Sequence, residues 1–497
     1  MNIDVKKGNI IDFEGDAIVV NIFKGTKEPK GGTGAVDKIL SGEISRVLEN
    51  FEGKLGDVYV LNTFGRIKTK FVLIAGLGEK EKFSIEGIRK VQGSVVKKMS
   101  ELKIKKAGSI LHGGGEGNIN LEKASSAFAE GSILGNYSFD KYKSDEKKED
   151  IEITIIEMDD EKIKDIKRGI EEGKIKGRCQ NIVRDFVNEP PNELTPLNYA
   201  KKVENILKEL NINNKVITKI YYKNDMEKMG MNALLSVGKG SANEPVFIVL
   251  KNRDSKERLV SIIGKGITFD SGGINIKTGE GIRHMKGDMA GSAVVFGAFI
   301  YAVLSSLDIN VMCIIPAVEN MPSGTASRPG DVVYAMNGKS IEIISTDAEG
   351  RMILADSICY AEKEGSEYII DIATLTGGSF VAFGDVAGCM MGSKEIVEII
   401  RGNIDITGEK IWEMPLFEEY REKMKSDIAD IKNSGGYGAS PILGGIFLSN
   451  FVEKSKWVHI DIAGKEFTER NDYYNVKGAT GFGFRTIVEL LKALCSS

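Results

Sequence analysis

Short apolar runs of strand length alternate with longer helical segments along most of this chain. That alternation confines it to folds in which helices cover a largely parallel sheet. In the first 150 residues the strand-like runs are Ala17–Ile22, 71–75 and 109–111, with helical patterns over 84–99 and around 121–134. The charged run KYKSDEKKED (141–150) reads as a solvated loop or linker. After the strand-like IEITIIE (151–157), helical sequence from 160 to about 187 stops at NEPPN (188–192), whose prolines cannot continue it. A second α/β region follows, with apolar strands at 246–250, 259–263, 311–315 and 368–372. At 497 residues the chain has room for two or three domains at about 150 residues each.

One stretch, 289–307, runs nineteen residues without a charge, close to membrane-span length. Its glycines and serines, and Asp288 directly before it, favour a core helix and no membrane association. Five cysteines (179, 313, 359, 389 and 495) without a CxxC pair suggest neither a disulfide framework nor a thiolate zinc site. A reducing cytoplasm fits them, and the N-terminus shows no signal peptide.

Sixty-seven basic against 71 acidic residues give a net charge of −4, too balanced for a chain whose main partner is a polyanion. The basic bias over 66–106, with Lys68, Lys70 and Lys82, reads as a solvated face. Nucleic-acid binding there is the reading of a different class, and no aromatic-rich or helix-turn-helix signature accompanies it. GGGEG (113–117) is too common a loop pattern to signal phosphate binding.

Three widely spaced histidines, His112, His284 and His459, exclude an HExxH protease, so a metal site must be built mainly from carboxylates. The candidates follow apolar runs. Lys265, Asp270 in GITFDSGG, Lys277 and Asp288 come after 259–263, where open α/β sheets bind ligands beyond their strand ends. A second cluster, STDAEGR (345–351), follows IEII (341–344), and Asp347 and Glu349 point the same way if that strand continues. Four converging carboxylates repel one another unless cations lie between them. Two divalent metals about 3.5–4 Å apart are the usual hydrolytic solution. Another two-metal hydrolase, such as a phosphatase, is the rival enzyme reading.

The segments VGKGSANEP (237–245), GKGITFDSGG (264–273), MKGDMAG (285–291), STDAEGR (345–351), DIATLTGG (371–378) and GATGFGFRT (478–486) together resemble the leucyl aminopeptidase family, the cytosolic metallo-aminopeptidases. NEPPNELTP (188–196), SDIADIKNSG (426–435) and WVHIDIAG (457–464) extend the likeness through the C-terminal region. The resemblance implies an α/β protein of two domains. The smaller, 1–160, is the variable, oligomer-related one. The larger, 161–497, is the catalytic dinuclear-metal domain, includes the linking helix, and has a central mixed sheet flanked by helices. It also implies a homohexamer in the cytoplasm acting on peptides with a free N-terminus. Some bacterial relatives combine this activity with DNA binding.

By the same resemblance, Lys265, Asp270, Asp288 and Glu349 hold one metal, and Asp270, Asp347 and Glu349 hold a second that exchanges more readily. Zn, Mn, Mg and Co all accept such ligands, with Mn or Zn the expectation. Lys265 then ligates as a neutral amine. Lys277 and Arg351 are the implied catalytic side chains. The first polarises the scissile carbonyl attacked by a hydroxide that the two metals activate; the second binds a bicarbonate that serves as general base. Thr374, Leu375 and Gly377 match the edge that binds the substrate backbone, and Met285 and Ala463 match the first side-chain pocket. Leu and other mainly apolar N-terminal residues are the expected substrates. Ser345 and Met352 depart from the family's usual Asn and Leu, and KEFTERNDYY (465–474) departs from its pattern. His284, four residues before Asp288, reads as a pocket-rim residue and His459 as structural.

Overall fold

The computed structural model describes residues 1–114, 119–144, 150–253, 255, 258–436 and 438–496. GGGEG and the 141–150 run therefore fall partly outside the described residues. The chain divides into two compact units, Met1–Asn181 with Thr468–Lys477, and Ile182–Phe467 with Gly478–Ser497.

In the first unit, β1 (Asn2–Lys7), β2 (Ala17–Ile22), β3 (Val58–Asn62), β4 (Phe71–Gly76), β5 (Lys106–Ser109) and β6 (Glu152–Glu157) form one sheet in the order β1-β6-β5-β2-β4-β3. All its pairs are parallel except β3 with β4. The third strand lies at 106–109, earlier than the apolar run at 109–111 predicted, because Ala107 and Gly108 pair with β2 despite weak strand character. The helices Ile85–Glu101 and Leu121–Gly135 begin where the sequence offers caps: Ser84 accepts from the Gly87 amide and Asn120 from that of Lys123. The segment 468–477 packs on the first of them. Tyr474 donates to Glu86, Lys97 donates to Asn471, and a Cβ at Gly93 would meet the Tyr474 backbone at 2.6 Å.

The basic run is a solvated face in part. Lys68 pairs with Glu14 and Lys82 with Glu79, while Arg89 is buried against Glu130 at 2.6 Å. Buried His112 donates no charge: its ring bridges Asn21 and Gln92.

The second unit contains β7 (Ile217–Tyr221), β8 (Val246–Lys251), β9 (Val260–Gly264), β10 (Gly266–Asp270), β11 (Val311–Asn320), β12 (Val332–Tyr334), β13 (Ser340–Glu342), β14 (Tyr368–Ala373), β15 (Gly388–Gly392), β16 (Ile411–Glu413), β17 (Ile431–Lys432) and β18 (Lys456–Asp461). The main sheet runs β16-β15-β18-β14-β9-β11-β8-β7, with β10 also on β11, and β12, β13 and β17 form a small separate sheet. Because β9, β10, β11, β14 and β18 are mutually parallel, their carboxyl ends share one edge. Antiparallel β8 and β15 make the sheet mixed, as expected.

The apolar stretch from residue 289 becomes the helix Ala290–Leu304, buried from Ala290 through Val303 against the main sheet. Together with the helical turns before it, Glu280–Leu304 has the length and composition to cross a membrane, but 94% of its apolar window is buried and it serves as core. Gly291 allows this contact, since a Cβ there would fall 2.1 Å from the Ile372 carbonyl oxygen. All five cysteines are free thiols, four of them buried.

Candidate active site

Lys265 sits at a break between β9 and β10. Both strands run along β11, but the ladder stops at Ile263 and resumes at Gly266, and the Lys265 amide turns to the Ile372 carbonyl of β14 at 3.1 Å. Glycines flank the kink because side chains there would strike the Gly291 and Pro316 carbonyl oxygens at 2.3 and 2.5 Å. Such an irregularity re-aims one side chain within a sheet. The Lys265 ammonium thus lies 2.8 Å from Asp288, 2.9 Å from Glu349 and 3.0 Å from the Thr374 carbonyl oxygen.

β10 ends on Asp270. Its Oδ1 accepts from the Gly272 amide and from Asn320 Nδ2, both at 2.8 Å, while Oδ2 lies 2.9 Å from the Lys277 ammonium. Gly272 and Gly273 have φ of +88° and +65°, the left-handed region, and bring the chain back so that Lys277 donates its amide to Ser271 at 2.8 Å. Lys277 also meets Asp347 at 2.5 Å.

The strand does not continue past IEII. β13 ends at Glu342, and the Asn433 side chain accepts from the Ile344 amide at 2.8 Å and donates to the Ser345 carbonyl at 2.7 Å, turning the chain. Asp347 lies in the turn and Glu349 opens the helix Glu349–Lys363, so their common orientation comes from a turn into a helix and not from a strand. One oxygen each of Asp270, Asp347 and Glu349 lies within 4.8 Å of the others. Asp288, next to the helix Ala290–Leu304, instead meets Lys265 and accepts from Thr374 Oγ1 at 2.8 Å.

The electrostatics follow from this burial. Desolvation, followed by the charge of Glu349, raises the Asp270 carboxyl above its ordinary range against the pull of Lys277 and Lys265. Burial raises Asp288 well above that range and raises Asp347 as well. For Lys265 burial works toward the neutral amine, but Asp288, Glu349 and Asp270 outweigh it and raise the group. Lys277 is raised in the same way, by Asp270, Glu349 and Asp347.

Four carboxylates face two ammoniums, leaving two negative charges over. Asp288 Oδ2 and Glu349 Oε2 are buried without a hydrogen-bond partner. Uncompensated buried oxygens of this kind are costly, and an oxygen-rich set with surplus negative charge suits hard divalent cations. The residues present therefore fit metal.

Arg351 is buried on the same helix and donates Nη1 to the Asn433 carbonyl at 2.7 Å, while its Nε has no protein partner. Burial lowers the guanidinium to about 10, against the charges of Glu349 and Asp461. Leu375 and Ala463 are drawn together by Asp461, which accepts from both amides. Met285 is half-buried on the 3₁₀ helix Glu280–Gly287, and Gly377 is exposed at the start of the helix Gly377–Phe383. His284 also lies on the 3₁₀ helix, where three residues make a turn, so it does not share a face with Asp288. It accepts from Arg283 and packs on the Phe467 ring. His459 is fully buried on β18 and bonded to Asp371 at 2.5 Å, as a structural histidine should be. Asn320, Asn433 and Asp461 support the site without having been singled out in the sequence. Only the last two lie in segments that the resemblance quotes.

Two family models match the chain: the cytosol aminopeptidase family catalytic domain over residues 181–488 and the N-terminal domain of the same family over 19–146. Fold and site thereby define the class, a two-part metal-dependent aminopeptidase with hydrolase activity. The chain belongs to the cytosol aminopeptidase family. It is 39% identical over 502 residues to a probable cytosol aminopeptidase of Alkaliphilus oremlandii (strain OhILAs), covering 99% of this chain and 100% of the relative. A probable cytosol aminopeptidase of Aquifex aeolicus (strain VF5) is also 39% identical, over 506 residues, with 100% and 99% covered. Among solved structures, a mutant of tomato leucine aminopeptidase is similar with a TM-score of 0.87 and 29% identity, over 99% of this chain and 96% of that one. The bottromycin maturation enzyme BotP in complex with Mn is similar with a TM-score of 0.85 and 28% identity, over 97% and 100%.

Proposed function

We propose that this aminopeptidase releases N-terminal Leu and other mainly apolar residues from peptides. The observation that carries the reading is the convergence of Asp270, Asp347 and Glu349 beside two ammonium groups, with Asp288 Oδ2 and Glu349 Oε2 buried and without a partner. In this reading Lys265, Asp270, Asp288 and Glu349 hold one divalent ion, and Asp270, Asp347 and Glu349 a second, Mn or Zn in preference to Mg or Co. Bound there, two such cations supply an acidified water as nucleophile and a Lewis acid for the carbonyl oxygen.

The chain's own groups do the rest. With a divalent ion bound, Lys265 would serve as a neutral amine ligand, its proton displaced by the cation's charge. The Lys277 ammonium, held between Asp270 and Asp347, places positive charge where the tetrahedral oxyanion develops. Arg351, whose buried Nε has no protein partner, would seat a bicarbonate, and such an ion would supply a general base beside the leaving amine. Thr374, Leu375 and Gly377 orient the peptide backbone, and Met285 and Ala463 line the pocket for the first side chain. We further assign residues 1–160 to a variable domain concerned with oligomerisation and 161–497 to the catalytic domain. The working form is a homohexamer in the cytoplasm, where five free thiols are stable.

The test is a pair of peptides that differ only at the amino terminus, Leu-Gly-Gly and its N-acetyl derivative. The reading requires cleavage of the first and none of the second. Equal cleavage of both contradicts it, and a monomer in sedimentation with full activity contradicts the hexamer.

A further inference from the structure

We propose that Asp461 is a positioning residue for peptide recognition: its one buried carboxylate fixes the 374–377 segment and the turn at Ala463 in a single register. The inference rests on the reading of those segments as substrate-binding. β14 and β18 run in parallel and end together, with Ala373 beside Asp461, and the Ile462 amide makes the last bond between them, to the Ala373 carbonyl at 2.8 Å. One step further the strands diverge, and the ladder offers nothing to the next amides. Asp461 supplies the missing acceptors. Its Oδ1 accepts from Leu375 at 3.1 Å and Ala463 at 3.0 Å, and its Oδ2 accepts from Thr376 Oγ1 at 2.7 Å.

A carboxylate with no solvent exposure is expensive unless all its partners are in place. Here two amides and a hydroxyl satisfy it. The 374–377 segment and the turn at Ala463 are thus bound to one group. Asp461 has no hydrogen bond to Lys265, Asp270, Lys277, Asp288, Asp347 or Glu349, so its work is on recognition and not on the reacting atoms.

Asp461→Asn keeps one acceptor oxygen for the two amides but turns an NH₂ toward Thr376. Thr376→Val removes the hydroxyl alone. Both full-length, Mn-loaded variants are compared with the parent on leucine and alanine p-nitroanilides, with kcat and KM read separately and bound Mn and circular dichroism measured alongside. Asp461→Asn is expected to raise KM for the leucine substrate about tenfold with little change in kcat. It also narrows the preference for leucine over alanine and leaves bound Mn unchanged; Thr376→Val moves KM the same way by less. If Asp461→Asn fails to fold, Thr376→Val decides.

A folded variant with unchanged KM and unchanged preference overturns the role of Asp461, as does an equal loss of kcat on both substrates. A parent protein inactive on both amides overturns the aminopeptidase substrate reading instead.

Discussion

A Cβ on Gly350 would fall 2.6 Å from the Lys265 ammonium nitrogen, so the start of the helix Glu349–Lys363 is shaped around that one side chain. Lys265 occupies the space a methyl group would need and from there reaches both Asp288 and Glu349. Gly350→Ala is therefore expected to push Lys265 off its partners, costing on the order of 2 kcal/mol in stability and one metal per subunit. Metal analysis after gel filtration checks this. Full occupancy in the variant would show that Lys265 is not needed for metal.

Lys277 bridges Asp270 and Asp347 without adding to the buried core. Replacing it with Met keeps the stem and removes the charge. The expected result is a fall in kcat of about 10²–10³-fold with KM nearly unchanged, measured on leucine p-nitroanilide. A rise in KM at constant kcat would make it a substrate-binding residue instead.

Arg351→Ala removes the proposed bicarbonate seat while leaving the carboxylates in place. We expect kcat to fall about 10²-fold and the response of rate to added bicarbonate, present in the parent, to vanish. A bicarbonate response that survives the substitution assigns the anion elsewhere.

His112 gives a prediction about stability. Burial lowers its pKa from 6.5 to about 3, and the neutral ring satisfies both neighbours, with Nδ1 accepting from Asn21 and Nε2 donating to Gln92, each at 3.0 Å. Above pH 6.5 the ring is neutral both folded and unfolded, and its contribution is flat. Below 6.5 the unfolded chain takes up a proton that the folded state refuses, so stability is lost as pH falls toward 3, at about 1.4 kcal/mol per pH unit. Urea melts at pH 7.5 and 5.5 should show a smaller acid loss for His112→Asn than for the parent. An equal loss would mean that His112 is not the group responsible.

Much of the fold was legible because apolar strands of the parallel sheets are continuous runs. Ala17–Ile22 and the runs that became β4, β8, β9 and β14 were read within a residue or two. β15, Gly388–Gly392, was not read: GCMMG lacks β-branched residues and becomes a strand through its partners β18 and β16. The carboxylates and lysines of the site stood out as ordered motifs. Asn320 and Asn433 did not, since each acts on a turn 26 to 89 residues distant in sequence. The turn that orients Asp347 is not visible in the sequence, because the apolar run before it continues to Ile344 while β13 stops at Glu342. The segment 468–477 could be marked as atypical, but its packing on the helix Ile85–Glu101 needed three dimensions.

The most direct test of the two-metal account is hydrolysis of leucine p-nitroanilide by metal-stripped protein, with Mn or Zn added back and an Asp347→Ala variant beside it. The account predicts that metal restores activity to the parent, and that the variant binds one metal fewer and stays inactive. Activity in the stripped protein, or full activity in Asp347→Ala, would contradict it.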